Sequence, residues 1–288
     1  MIEKRSFSVS NLAIYATLVV VAFSTLLPFL HVLAKSISEE SAVMAGEVSL
    51  WPVGLTLETY RVILSSRDFQ RSFLVSVFVT ITGTLLHLVV MSSAAYVLSR
   101  DDLVGKRIFT LMFIFTMLFS GGIIPTYLVI RNLGIIDTVW ALILPALVSP
   151  FNLIILRNFF QGIPKALEEA AKLDGCSNFG IYTRVMLPLS KPALATVAIF
   201  TAVGYYNAYF NALMYIESKR LEPMSLYLRR MVMEADSNLV NLSPELANLN
   251  PESIRSATVI AAALPILLVY PFLQGYFVKG VTLGAVKG

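Results

Sequence analysis

The side chains able to do chemistry are few in this chain, and they are scattered. Two histidines, His31 and His87, and one cysteine, Cys176, are all that 288 residues offer toward an imidazole or thiolate site. That is too little for a zinc cage built from this chain alone, and a single cysteine excludes an intrachain disulfide. No G-x-x-x-x-G-K-[ST] run occurs, so a backbone cradle for nucleotide phosphates is missing. No catalytic constellation and no metal site is therefore expected, and the chain is read as something other than an enzyme. Two polar passages remain. One is "ALEEAAKLDGCSNFGIYTRVMLPLSKP", residues 166–192, a surface suited to protein contact; the other is "VGYYNAYFNALMYI", residues 203–216, whose amides and phenols suit hydrogen bonding.

The elements that must hold these passages are apolar. The chain is 57% hydrophobic and only 14% charged, with a mean hydropathy of +0.75, whereas a soluble domain usually carries about 25% charged residues. Six apolar stretches, at about 11–34, 72–98, 108–130, 138–156, 192–216 and 256–278, each approach the ~20 residues that a helix needs to cross a bilayer. An all-α membrane protein of six transmembrane helices, a single domain over 1–288, is the expected architecture. The first stretch follows Lys4 and Arg5 but is longer than a signal-peptide core, so it reads as a retained anchor. The net charge of +4 fits span-flanking basic residues rather than nucleic-acid binding. Loop 100–107 holds Arg100, Lys106 and Arg107, while loop 131–137 holds only Arg131, which places both termini in the cytoplasm. Residues 158–191 are then the largest cytoplasmic loop. Residues 35–71 and 217–255 are extracytoplasmic, and the second, ending in a run rich in Asn, Ser and Pro, reads as largely irregular.

Within the cytoplasmic loop, Pro164 can occupy a first helical turn, "KALEEAAKLD" is made of helix formers, and Gly175 can take the positive φ that ends a helix. A short helix over about 164–174 follows. So short a helix is not stable alone and must dock. Ala166, Ala170 and Leu173, at i, i+4 and i+7, give it a small apolar face, with Lys165, Glu168, Glu169 and Lys172 around the rest. Helix chemistry leaves two docking targets open, the chain's own membrane domain and a partner protein.

Here the residues resemble a known pattern. "EAAKLDG" followed after a spacer by "MLP" looks like the EAA loop of binding-protein-dependent ABC importers, with Glu169, Ala170, Ala171, Asp174, Gly175, Leu187 and Pro188 at the family's spacing and Cys176 and Val185 as mild departures. The resemblance covers nearly the whole chain. It implies the type I ABC importer permease fold, with a cytoplasmic coupling helix seated in a cleft of an ATP-hydrolysing subunit. It further implies a second homologous permease, two ATPase copies holding ATP and Mg, and an extracytoplasmic solute-binding protein. The segment 277–288, "FVKGVTLGAVKG", is similar to the end of maltose-type permeases in the carbohydrate branch. A cytoplasmic tail, 279–288, that touches the ATPase pair through Gly280, Gly284, Lys287 and Gly288 is implied by that likeness.

The substrate would follow the fifth stretch. Gly204, Asn207 or Ala208, Asn211 and Tyr215 recur at helical spacing and would align a small, amide-bearing stripe. Tyr205, Tyr206, Asn207, Tyr209 and Asn211, with Asn152 in the fourth stretch, are candidates for a sugar pathway; interhelical hydrogen bonding is the competing use. Gly121, Gly122 and Pro125 predict a bend in the third stretch. Arg229 and Arg230, in the second outer loop, could meet a binding protein or favour an acidic sugar such as a uronate oligomer. An ion-coupled secondary carrier is the alternative function, weakened because no Asp, Glu, Lys or Arg falls well inside any stretch.

Overall fold

The computed structural model describes residues 9–234 and 249–285. Among these residues there are helices and turns but no strand; Ser38 and Leu55 form one isolated antiparallel bridge. The helices are α1 (Val9–Ser36), α2 (Glu40–Met44), α3 (Glu58–Ser65), α4 (Arg67–Ser99), α5 (Lys106–Leu118), α6 (Ile123–Asn132), α7 (Val139–Ile143), α8 (Pro150–Gln161), α9 (Lys165–Leu173), α10 (Asn178–Ile181), α11 (Leu187–Leu189), α12 (Lys191–Tyr206), α13 (Tyr209–Tyr215), α14 (Met224–Glu234) and α15 (Pro251–Ala285).

Among the described residues three helices, α1, α4 and α15, are single pieces long and apolar enough to cross a membrane. Two more of the expected spans are broken pairs: α5 and α6 meet at 114°, and the α7 segment meets α8 at 52°. The sixth comes from α12, which meets the segment Asn178–Leu189 at 79°. Six spans hold if each bent pair counts as one. The bend in the third stretch falls between Leu118 and Ile123, at Gly121 and Gly122, whereas Pro125 sits in the first turn of α6, where no amide is required. The glycine pair, not the proline, breaks that span.

The fold corrects three expectations. The fifth stretch is not one helix: α12 stops at Tyr206, Asn207 and Ala208 leave helical geometry, and α13 starts at Tyr209. Gly204 therefore shares no continuous face with Asn211 and Tyr215. In the described part of the segment 217–255, read as largely irregular, Met224, Tyr227 and Met231, all buried, give α14 a packed face and α15 begins at Pro251, whereas 235–248, which hold most of the Asn- and Ser-rich run, lie outside the described residues. The C-terminal segment is helical as far as Ala285. Gly280 and Gly284 lie in the last turns of α15, while Lys287 and Gly288 lie outside the described residues.

The chain divides into two compact units, Met1–Phe69 with Leu228–Leu264, and Gln70–Tyr227 with Pro265–Gly288. In the first, α1 presents Val19, Phe23 and Phe29 outward, as a lipid-facing span should. Its outer end is tied down by polar contacts. His31 Nδ1 lies 2.6 Å from the Ser49 carbonyl, Tyr60 donates to Ser36 Oγ at 2.8 Å, and Lys35 pairs with Glu252.

The second unit holds the larger core: Met91, Ala95, Tyr96 and Leu98 of α4 pack with Leu153, Leu156 and Phe160 of α8, with Ala193 and Val197 of α12, and with Ala171, Ile181 and Met186 between. Closer to mid-span, α4 and α12 meet at Gly83. A Cβ built there would lie 2.7 Å from the Tyr205 ring, and Tyr205 is held by its hydroxyl on the Ile143 carbonyl at 3.0 Å. The ring cannot swing aside without leaving that carbonyl unpaired. Gly83→Ala should therefore destabilise the protein by about 1–2 kcal/mol despite the better helix propensity of alanine. Thermal unfolding in detergent checks this, with Tyr205→Leu in the same chain expected to restore part of the loss.

The candidate functional site: a docked helix and the polar contacts behind it

The 164–174 expectation is met within a residue. Helix α9 runs Lys165–Leu173 with Pro164 just before it and Asp174 just after. Its end is a Schellman closure: the Cys176 amide donates to the Ala171 carbonyl at 2.9 Å and the Gly175 amide to the Lys172 carbonyl at 3.0 Å. That closure needs the left-handed backbone at Gly175, whose φ is +78°. Ser177 then caps α10 through the Gly180 amide at 3.2 Å. A five-residue π-helical turn, Tyr182–Met186, joins α10 to α11, and Ser190 separates α11 from α12. Local π geometry is costly and is found chiefly at functional positions; nothing in residue spacing signalled it.

Of the two docking targets left open by the sequence, the chain's own membrane unit takes one face of α9 and the opposite face stays exposed. Ala171 is buried in the core beneath α9. Ala166 and Ala170 face solvent with Leu173, which is 89% exposed, and Phe179 is 73% exposed beside them. Glu169, Asp174, Gly175 and Pro188 are also exposed, and Leu187 is half-buried. Glu169, Ala170, Asp174 and Gly175 thus lie exposed along and just past a helix that Ala171 anchors.

Behind that surface stands a polar cluster that the sequence did not single out beyond its charge. Arg100, at the end of α4, donates from Nε to Asp102 Oδ1 at 2.8 Å and from Nη2 to Asp102 Oδ2 at 2.6 Å. Its Nη1 donates to Asn178 Oδ1 at 2.9 Å and to the Tyr96 hydroxyl at 3.2 Å. The guanidinium carbon lies 5.9 Å from the Tyr96 ring centre, and Tyr96 stacks on Tyr182 at 5.3 Å. Asp101 receives Lys106 at 3.0 Å and also Lys165 of α9. Arg157 donates to the Leu98 carbonyl at 3.1 Å. A cavity of about 340 Å³ opens among Arg100, Asp101, Asp102, Lys165, Glu168 and Lys172. The hydrogen bonds from Arg100 hold the Asp102 carboxyl down to about 2, and Lys165 and Lys106 lower Asp101; Asp101 in turn raises Lys165.

The sugar-pathway candidates divide. Asn152 is buried and uses its amide across three helices, 3.0 Å from His87 Nε2 of α4 and 3.3 Å from Thr201 Oγ1 of α12. Asn152 and Tyr205 thus both hydrogen-bond at the broken span. Tyr206 lines a cavity of about 200 Å³ with an almost wholly apolar wall, among Val77, Thr80, Ile199, Ala202 and Pro265. Asn207 is exposed at the break, its carbonyl accepting from the Tyr209 amide at 2.7 Å, and Tyr209 and Asn211 are half-buried in α13. Of the six, Asn207, Tyr209 and Asn211 keep a geometry compatible with a path. Asp137, not flagged by its sequence context, takes φ +54° and accepts the Glu217 and Ser218 amides at 3.1 and 3.0 Å. These amides keep its carboxyl ionised below the usual range.

Broken apolar spans around a buried polar node, with a short helix docked on them, are the architecture of an integral membrane protein with a helical surface left open. Residues 91–283 match the family described as binding-protein-dependent transport system inner membrane component, and the chain belongs to that family. It is 44% identical over 96% of its length, and 98% of the relative's, to the polygalacturonan/rhamnogalacturonan transport system permease protein YtcP of Bacillus subtilis (strain 168). It is 45% identical to protein LplC of the same organism, covering 92% of this chain and 90% of LplC. A chain from the crystal structure of a bacterial ABC transporter involved in the import of the acidic polysaccharide alginate superposes with a TM-score of 0.88 at 30% identity, covering 95% of this chain and all of that one.

Two outcomes are expected from this geometry. Asn152→Ala should destabilise the protein by about 1 kcal/mol, since two buried hydrogen bonds are lost but such bonds average ~0.6 kcal/mol in membranes; a denaturation series in mixed micelles measures it. Because the folded pKa of Asp102 is depressed, its contribution is fully present above the unfolded value of ~3.9 and is lost as pH falls through about 2. The carboxyl ¹³C shift of Asp102 should titrate near that lower value, and Arg100→Gln should return its midpoint to ~4.

Proposed function

We propose that this chain is one of two permease subunits of an ATP-driven, binding-protein-dependent importer of oligosaccharides, and that α9 couples it to an ATPase subunit. The observation that carries the coupling role is the division of α9 into two faces. Ala171 fixes it to the membrane unit, while Ala166, Ala170 and the Leu173 side chain stay open to water. Small residues let a partner backbone approach closely, and exposed leucine gains about 25 cal/mol per Å² when covered. A helix held rigidly on one side and apolar on the other is built to receive force from a second protein.

The wider assembly follows from that reading. ATP and Mg reside in two copies of the ATPase below, a second homologous permease completes the translocation path, and an extracytoplasmic binding protein delivers the solute. Both termini are cytoplasmic in this arrangement, in accord with Arg100, Lys106 and Arg107 flanking one short loop. Gly280, Gly284, Lys287 and Gly288 are proposed to reach the ATPase pair. The names borne by the similar proteins, a polygalacturonan/rhamnogalacturonan permease and an alginate importer, support a uronate-rich polysaccharide fragment as cargo. Arg229 and Arg230 on the outer helix α14 suit such an acidic ligand or its carrier protein. Asn207, Tyr209 and Asn211 are the residues proposed to border the path.

A positive φ at Gly175 is the most exposed weakness of the coupling surface, because proline is fixed near −65° and cannot close the Schellman turn. In a mild-detergent pull-down from native membranes, the wild-type chain should bring down a P-loop ATPase and a second permease. Gly175→Pro should retain the second permease and lose the ATPase, or at least 90% of the ATP hydrolysis. A wild-type chain that purifies alone and still carries solute would show ion-coupled transport instead.

A further inference from the structure

The EAA segment has no covalent reason to move with α4, yet one side chain joins them. Arg100 lies at the C-terminal end of the membrane helix α4 and reaches Asn178 at the start of α10, 78 positions away. Every edge of its guanidinium is used: Nε and Nη2 on Asp102, and Nη1 on Asn178 and Tyr96. The side chain is only 15% exposed, although Asp102 is largely open. Beneath it, Tyr96 and Tyr182 stack, and the Tyr182 hydroxyl shares a hydrogen bond with Ser92 Oγ at 2.7 Å, again linking the EAA segment to α4. Alongside it, Asp101 joins Lys165 of α9 to Lys106 of α5.

We infer that Arg100 is a positioning residue for energy coupling: it locks α10 to the end of α4, beside the Asp101 link between α9 and α5, so that a push on the exposed face of α9 displaces those membrane helices rather than tilting the EAA segment on its own. The inference rests on the importer reading above and adds the residue through which force enters the membrane unit. Exposed ion pairs are individually weak. The strength here lies in geometry, since a planar fork with three fixed directions resists rotation of α10 about α4, whereas a lysine would supply a single mobile contact. An unclamped α9 would still present Ala166, Ala170 and Leu173 to a motor, so ATPase binding and work output should separate.

The experiment uses the complete complex reconstituted in liposomes, with its binding protein and a pectin digest as the probe cargo, comparing wild type with Arg100→Gln, Arg100→Lys and Asn178→Ala. Hydrogen exchange and uptake per ATP hydrolysed are both read. Arg100→Gln should keep the ATPase subunits at wild-type stoichiometry, speed amide exchange across 165–181 by about tenfold with 91–97 unchanged, and lower uptake per ATP by at least fivefold. Arg100→Lys should fail to rescue. Asn178→Ala, an exposed change that leaves the Asp102 fork intact, should show the same pattern more weakly and serves if Arg100→Gln does not fold. Unchanged exchange in Arg100→Gln, or in Asn178→Ala where that variant stands in, overturns the clamp. Faster exchange with normal uptake per ATP overturns its role in coupling, and loss of the ATPase itself would make Arg100 a docking residue instead. If the wild-type complex shows no stimulated hydrolysis with any pectin fraction, the importer reading or its cargo fails, while the exchange arm still decides the clamp.

Discussion

A peptide group in hydrocarbon has no water to bond, and this constraint organises the whole protein. It accounts for a fold in which the described backbone is helix and turn. It also explains the cost of the breaks, because each interruption frees amides and carbonyls that must find partners inside the protein. The fourth span shows how that is met. Where α7 ends and α8 has yet to begin, Tyr205 donates to the Ile143 carbonyl, Ser149 accepts the Asn152 backbone amide, and the Asn152 side chain bonds to His87 Nε2. Polar residues that read as candidates for ligand contact are in part the repair of a deliberately broken helix.

Those breaks and the docked helix belong to one design. Chain continuity carries the EAA segment into α12 across a 79° turn at Ser190, and α12 in turn donates Thr201 and Tyr205 to the node around the broken fourth span. The docked surface is therefore connected to that node by α12 and two hydrogen bonds. Gly83 lets that helix lie against α4 at close range. Movement of the EAA segment has a short path to the polar centre and few soft points along it.

The electrostatics divide in the same way. Ionised groups gather at the water-facing ends, where Arg100, Asp101, Asp102 and Lys165 form a network on one side and Asp137 holds two amides on the other. Within the core of the second unit, His87, Asn152 and Thr201 bond to one another. Charge is confined to places where solvent limits its desolvation cost, and directional hydrogen bonds take over where it does not.

Much of this could be read from residues alone. Apolar runs of about 20 residues reveal spans because hydrocarbon thickness fixes their length, and the EAA helix was legible to a residue because proline, helix formers and Gly175 mark its ends by local backbone physics. Local signals fail where geometry is set by distant partners. The separation of α12 from α13 at Asn207 was invisible because the apolar pattern runs straight through it, and the helix α14 was hidden because its buried face is defined only by what packs against Tyr227. Arg100 looked like one more loop charge until the fold brought Asn178 to it across 78 residues. The sequence by itself determined the membrane class, the apolar stretches and the short helix before Gly175, since these follow from hydropathy and backbone preference at short range. Only the tertiary structure decided which polar residues bond to one another and which remain open, because hydrogen bonds are directional and their partners come from helices far apart in the chain.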